Sequence, residues 1–192
     1  MTKFIALLGL YVGASVASQF LTSTPVELFM LMGVAIWMPL SSLTLVPLVD
    51  VLRSFTQHAA EKCNLSFKLV GSLMLALTMG ISGFCVMFAN LPVQIFAAVL
   101  AAVTIGGALD ILVFRKMGEL FTSPVKRMAV SNAVATLVGS GVVFLVAFTN
   151  IFFPENPLAR PGFEVMVGWL TQSVFIWTAS ILIALGMGKI IK

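Results

Sequence analysis

Long uninterrupted apolar runs, separated by short polar stretches, dominate this chain. Six can be drawn, at residues 4–22, 28–49, 69–89, 92–114, 128–150 and 165–188. Each is close to the roughly 20 residues that an α-helix needs to cross the hydrocarbon core. Membrane β-barrels instead alternate apolar and polar residues in short segments. The pattern therefore predicts an all-α integral membrane protein. Its fold is expected to be a six-transmembrane-helix bundle, a single transmembrane domain over residues 1–192. The first run also resembles a signal peptide, with Lys3, an apolar stretch and Ser15-Val16-Ala17. The run continues through Phe20-Leu21, and keeping it gives an even number of spans, so it is read as a span.

The run at 92–114 organises the rest. It carries one acid, Asp110, about one turn before its basic end at Arg115 and Lys116. An ionisable group at the bilayer centre costs roughly 2.5–3.5 kcal/mol, so by default it marks function. Asp110 lies nearer the end, which lowers that figure. Gly106 and Gly107 precede it by one turn, where a neighbouring helix or a ligand can approach the backbone.

Composition supports the pattern. The 192 residues are 60% hydrophobic and 9% charged, whereas soluble domains carry about 25% charged residues. Mean hydropathy is +1.11. The net charge of +4 comes from basic residues scattered between apolar runs, so it does not indicate nucleic-acid binding. Of the eleven basic residues, all but Arg160 fall on one side of the predicted membrane. By the positive-inside rule both termini face the cytoplasm. Cys63 and Cys85 are too far apart along the chain to suggest a disulfide, and neither has metal-ligand spacing with the lone His58. No metal site is expected.

The connections differ in kind. Asn90-Leu91 reads as a tight outer hairpin. The loop after the fourth run is basic. The outer loop with Pro154, Pro157 and Pro161 reads as a rigid connector, with a lid as the sharper alternative. Residues 50–68 are polar, and Asp50, Arg53, Gln57 and Glu61 share one helical face. They are read as a cytoplasmic extension of the second span, with Asp50 and Arg53 capping or gating its end.

Catalysis finds no candidate. The chain has no glycine-rich nucleotide loop and no His-Glu-x-x-His. Its only histidine lies in a loop, and Asp110 has no expected partner acid or facing basic residue within the membrane. No enzyme activity and no cofactor are therefore expected. Binding and passage of a small molecule remain.

Candidate binding groups are polar residues inside apolar runs. Asp110 and Asn132 both lie about five residues from a basic end, hence at similar depth. Asn132, Thr136, Gly139 and Ser140 share a face of the fifth run. Trp169, Gln172, Ser173 and Ser180 share a face of the sixth. Gln19 stands near the outer end of the first. The site is therefore predicted from Asp110, Asn132, Gln172, Ser140 and Gln19, with Trp177 stacking on a planar ligand. The plainer alternative for the serines and threonines is interhelical hydrogen bonding, worth about 0.6 kcal/mol each. For Asp110 the alternative is an ion pair with Arg115, Lys116 or Arg127. Trp37 and Trp169 read as interface anchors. Gln172 lies nearer the outer surface than Asp110, so one pocket holding both requires tilted or broken helices.

Three ordered stretches resemble the VUT family of integral membrane proteins, the queuosine-precursor transporters. They are Val51-Leu52-Arg53-Ser54-Phe55-Thr56-Gln57, the stretch from Gly107 through Asp110 to Arg115, and the stretch from Lys126 through Asn132 to Gly139-Ser140 and Phe148. The resemblance covers roughly residues 45 to 150. The chain departs from the family at Gly139, where Asp precedes Ser, and in the last helix, where Gln172 or Ser173 stands nearest to a common lysine. The resemblance implies uptake of 7-cyano-7-deazaguanine or a related 7-deazaguanine. It also implies a bundle similar to the substrate-binding subunits of energy-coupling-factor vitamin transporters. Partners would be the substrate, lipid, and either a coupling subunit or a second copy of the chain. The alternatives are such a substrate-binding subunit for a vitamin or nucleobase, and a membrane scaffold without transport.

Overall fold

The computed structural model describes residues 1–22, 25–31, 34–89 and 92–190. The Asn90-Leu91 turn lies outside the described residues. Helix α1 (Thr2–Thr22) leads into a hairpin of β1 (Pro25–Leu31) and β2 (Val34–Pro39). Then follow α2 (Leu40–Thr44), α3 (Val46–Lys62), α4 (Phe67–Ala89), α5 (Val93–Met117), α6 (Pro124–Ala147) and α7 (Gly162–Ile190).

Four of these helices, α4 to α7, are long and apolar enough to cross a membrane. Helix α1 carries a shorter apolar stretch, Thr2–Ser18. Leu112, Val174 and Leu182 stand fully outward on the long helices. Large apolar side chains on the outside of a bundle are what a lipid environment selects.

The expectation of a continuous helix over 28–49 is overturned. The strands of the hairpin pair antiparallel, with an irregularity between Glu27 and Phe29. Helical structure begins only at Leu40. Proline explains the shift. A helix over 28–49 would hold Pro39 in its middle, losing one hydrogen bond and clashing with the preceding turn, at about 3 kcal/mol. At the observed boundary Pro39 flanks the first turn, with φ −59° and ψ 139°. The run before it, Val34-Ala35-Ile36-Trp37, is rich in β-branched and aromatic residues, which suit strands. Pro47 sits at the start of α3 and accounts for the break at Leu45. That break is slight, because Leu45 donates to Ser41 and Val49 donates to Leu45 through the backbone.

Residues 50–68 are expected to extend the second span, and the part that lies in α3 does so as a largely buried helix. Val51, Leu52, Ser54, Phe55, Thr56 and Gln57 of α3 are all buried. Helix α3 runs inside the bundle, against α1, α4, α6 and α7. Its low hydrophobicity follows from that position, since its polar groups meet protein rather than lipid. Phe4, Leu7 and Tyr11 of α1 pack with Val51, Leu52 and Phe55 of α3, Val70 and Met74 of α4, and Phe114 and Met128.

The ends of several elements gather at one pole. Arg127 at the start of α6 donates to Glu61 at the end of α3, at 2.8 Å. Arg115 at the end of α5 lies over the Phe67 ring at the start of α4, 5.1 Å from its centre. The connector to α7 folds back on itself. Asn156 donates to Ala147 and Thr149, accepts from Leu158, and Arg160 donates to Phe148 through the backbone. These bonds fit the rigid-connector reading. Cys63 is a free thiol, and Cys85's side chain lies outside the described residues.

Candidate functional site

Helices α5 and α6 approach each other through small residues. A Cβ added to Gly106 would meet the Ala135 carbonyl oxygen at 3.1 Å and the Gly139 Cα at 3.3 Å. Only glycine allows this separation. Ala102, Gly106, Ala135 and Gly139 form the stripe, and the room beside it opens into a cavity of about 160 Å³. Every helix contributes to its wall. Tyr11 and Ser15 come from α1, Ser41 and Ser42 from α2, Asp50 and Arg53 from α3, and Thr78 from α4. Thr136 and Ser140 come from α6, and Gln172 and Ile176 from α7.

One wall is ionic. Arg53 donates from Nη2 to Asp50 Oδ1 at 2.7 Å and from Nε to Asp110 Oδ2 at 2.7 Å. Asp110 is wholly buried, and the side chains of Asp50 and Arg53 are only 13% and 11% exposed. The first pair joins residues three apart on α3, and the second crosses to α5. Asp110 therefore does have a facing basic residue, contrary to the expectation, and its partner is none of Arg115, Lys116 or Arg127. Gly107 lies beside this contact: a Cβ there would be 3.6 Å from Arg53 Nη1, an ordinary van der Waals distance. Asp50 and Arg53 line the cavity.

The other polar groups stand on different helices. Gln172 donates to Ser140 at 3.4 Å, and its Oε1 has no partner among the described residues. The hydroxyls of Thr136 and Ser15 are likewise buried and unpaired among the described residues. Tyr11 and Thr78 hydrogen-bond to each other, and Thr78 also donates to the Met74 carbonyl. Buried polar atoms nearly always find a partner, so unpaired ones turned towards a cavity suit a polar occupant. The wall offers a guanidinium, a carboxylate, an amide and hydroxyls, which is donor and acceptor capacity for a hydrogen-bonding solute.

The sequence-predicted residues divide accordingly. Gln172, Ser140, Asp50 and Arg53 meet at the cavity. Asp110 stands behind Arg53 and reaches the cavity through it. Helices α5 and α7 are continuous, and Gln172 lines the cavity while Asp110 meets it only through Arg53. Asn132 is fully buried, with both amide atoms unpaired among the described residues, but does not line the cavity. Trp177 is 37% exposed and donates to the Ala129 carbonyl at 2.8 Å. It braces α7 on α6 and does not line the cavity. Trp169 likewise donates to the Leu137 carbonyl, at 2.7 Å. The side chains of Gln19 and Trp37 lie outside the described residues.

Comparison with protein-family models, characterised proteins and solved structures finds no match. Chemistry must therefore be argued from the cavity alone. Among the described residues no cluster of three or more His, Cys, Asp or Glu side chains has the arrangement of a metal site.

Tyr11, Ser15, Ser41, Ser42 and Thr78 were not singled out from sequence. The two serines of α2 fell within a run read as a span, and a lone hydroxyl in an apolar helix usually signals nothing beyond packing. Arg53 was placed in the cytoplasm because charges at a span's end normally lie there. The missed signal was pairing: a buried acid on one helix implies a cation on another.

Proposed function

We propose that this protein is a multi-pass inner-membrane transporter that takes up a compact, polar heterocycle through the α1–α7 cavity. A 7-deazaguanine such as 7-cyano-7-deazaguanine is the substrate in this reading. The observation that carries it is a partly open cavity among membrane-length helices, its mainly apolar wall set with polar groups, of which Gln172, Thr136 and Ser15 hold atoms unpaired among the described residues. Its volume of about 160 Å³ is below the roughly 300–1,000 Å³ of pockets for drug-sized ligands. That size suits a bicyclic base and excludes most larger vitamins. A guanine-like edge presents a ring N–H beside an amino group, which a carboxylate such as Asp50 accepts. Its carbonyl accepts from Arg53 or from an amide such as Gln172. The resemblance in residues 45 to 150 points to the same class of base.

Six crossings survive in this reading, with the second one moved. Leu40 to Lys62 would span roughly 34 Å if nearly continuous, at about 1.5 Å per residue. The β1–β2 hairpin then covers the outer end. The basic pole, with Arg115, Lys116, Lys126 and Arg127, faces the cytoplasm with both termini.

The test is uptake into proteoliposomes, and binding in detergent, of labelled 7-deazaguanines with purines and vitamins as competitors. Gln172→Leu keeps the volume but removes the amide, so affinity should fall about tenfold with stability little changed. Wild-type protein that takes up none of these bases would sink the proposal.

A further inference from the structure

The charges at the cavity do not balance. Asp50 and Asp110 carry two negative charges when ionised, and Arg53 between them carries one positive charge. Among the described residues no second cation lies within ion-pair distance of either carboxylate. The neighbouring elements do not supply one. From α1 the titratable group at the cavity is Tyr11, and from α4, α6 and α7 come the neutral Thr78, Thr136, Ser140 and Gln172. Arg127 of α6 is engaged by Glu61 at the pole. Asp110 Oδ1 is moreover buried without a partner among the described residues. An uncompensated carboxylate in a low-dielectric interior is strongly unfavourable, and two acids around one base resolve this by retaining a proton.

We propose that Asp50 and Asp110 hold one proton between them, on either side of Arg53, and that this proton is the coupling ion for uptake. The proton comes from water and binds a carboxylate oxygen, which takes the triad from one net negative charge to zero. Asp50 is the way in, because it faces the cavity while Asp110 stands behind Arg53. With one cation between two acids, the proton belongs to the pair rather than to either acid alone. When it leaves, the pair regains its second negative charge, and the two acids hold Arg53 more tightly against the solute. Gain and loss of the proton thus change the donors and acceptors that the cavity presents. The coupling role rests on the transport reading above; the shared proton does not.

The two claims are tested separately. Infrared spectra are recorded in a detergent without ester carbonyls, near pH 6, where ordinary carboxyls are ionised. The expected result is the carbonyl band of one protonated carboxyl, lost on raising the pH. Asp50→Asn and Asp110→Asn should each abolish it, because either change leaves one acid balanced by one base. Should neither variant purify, the wild-type titration decides alone: no band at any pH above the ordinary carboxyl range overturns the shared proton. A missing band together with stabilisation by sodium chloride over choline chloride also overturns it, in favour of a metal cation. For coupling, a pH-sensitive dye in proteoliposomes should report proton entry when 7-cyano-7-deazaguanine is added, and Asp50→Asn should lose it. Uptake without proton movement overturns the coupling role and leaves the transport reading intact. A band in a protein that transports no 7-deazaguanine supports the shared proton and removes the substrate reading instead.

Discussion

Two arginines each tie two groups together in this bundle, and they do different work. Arg53 joins two carboxylates, Asp50 and Asp110, in the interior. Arg127 joins one carboxylate, Glu61, and one backbone carbonyl, that of Phe121, at the basic pole. Its guanidinium also lies 5.9 Å from the centre of the Phe114 ring. Both sets draw on one stripe of α3, where Asp50, Arg53 and Glu61 share a face. The polar pair is balanced and open to water, with Glu61 32% exposed. The interior set has one acid too many and is nearly sealed. Equal geometry with unequal charge and burial separates a clamp from a site.

The largest expected effect comes from emptying the interior set of its cation. Arg53→Met keeps the length of the side chain but leaves Asp50 and Asp110 facing each other. Removing one partner of a buried pair typically destabilises by about 3–5 kcal/mol. Thermal unfolding in detergent should show a large drop, and adding Asp110→Asn to the same chain should recover part of it. If Arg53→Met cost no more than a change at Glu61, the distinction between the two sets would be gone.

A smaller effect is expected at the helix crossing that holds the interior set in place. Gly106→Ala puts a methyl 3.1 Å from the Ala135 carbonyl and 3.3 Å from the Gly139 Cα. Both are backbone atoms, so α5 and α6 must separate. Overpacking of this kind costs about 1–3 kcal/mol. Gly107→Ala, one residue on, meets instead the end of the Leu75 side chain at 3.1 Å. That neighbour can turn away, so unfolding midpoints should rank wild type and Gly107→Ala close together, with Gly106→Ala below both. The reverse order would mean that the crossing does not set the position of Asp110 against Arg53.

The same contrast explains what sequence made legible. Helices α1, α4, α5, α6 and α7 were readable because lipid demands long apolar runs, and such runs are visible without any tertiary knowledge. Asp110 was readable as exceptional for the same reason. Helix α3 was legible as a helix from the spacing of Asp50, Arg53, Gln57 and Glu61, but its burial was not, because it is shielded by other helices and obeys no lipid rule. Its polar face looks like a water-facing surface until its partners are known. The β1–β2 hairpin was hidden by its hydrophobicity, although Pro39 marked the boundary. Trp177 shows the limit of spacing: a mid-span aromatic suggested a ligand platform, and its bond to the Ala129 carbonyl across to α6 had no sequence signal. Spacing places a residue on a face, but which neighbour that face meets is a tertiary fact.

The smallest effect belongs to the polar pole, and it sharpens the comparison by its size. Glu61→Gln removes the charge but leaves an amide oxygen that Arg127 Nη1 can still reach, now 2.8 Å from the carboxylate. Arg127 keeps its bond to Phe121, at 2.7 Å, and its place near Phe114. His58 Nδ1, at 3.5 Å from Glu61 Oε2, loses a weak partner. An exposed pair of this kind is worth about 0–1 kcal/mol, and salt screens it further. The unfolding midpoint of Glu61→Gln should therefore fall slightly in low salt and match wild type in high salt, with solute affinity the same in both. The interior set should behave otherwise, since sealed charges are little screened: the deficit of Arg53→Met should persist at high salt. A salt-sensitive Arg53→Met, or a Glu61→Gln that weakens solute binding, would show that α3 transmits charge along its whole stripe and that the pole belongs to the site.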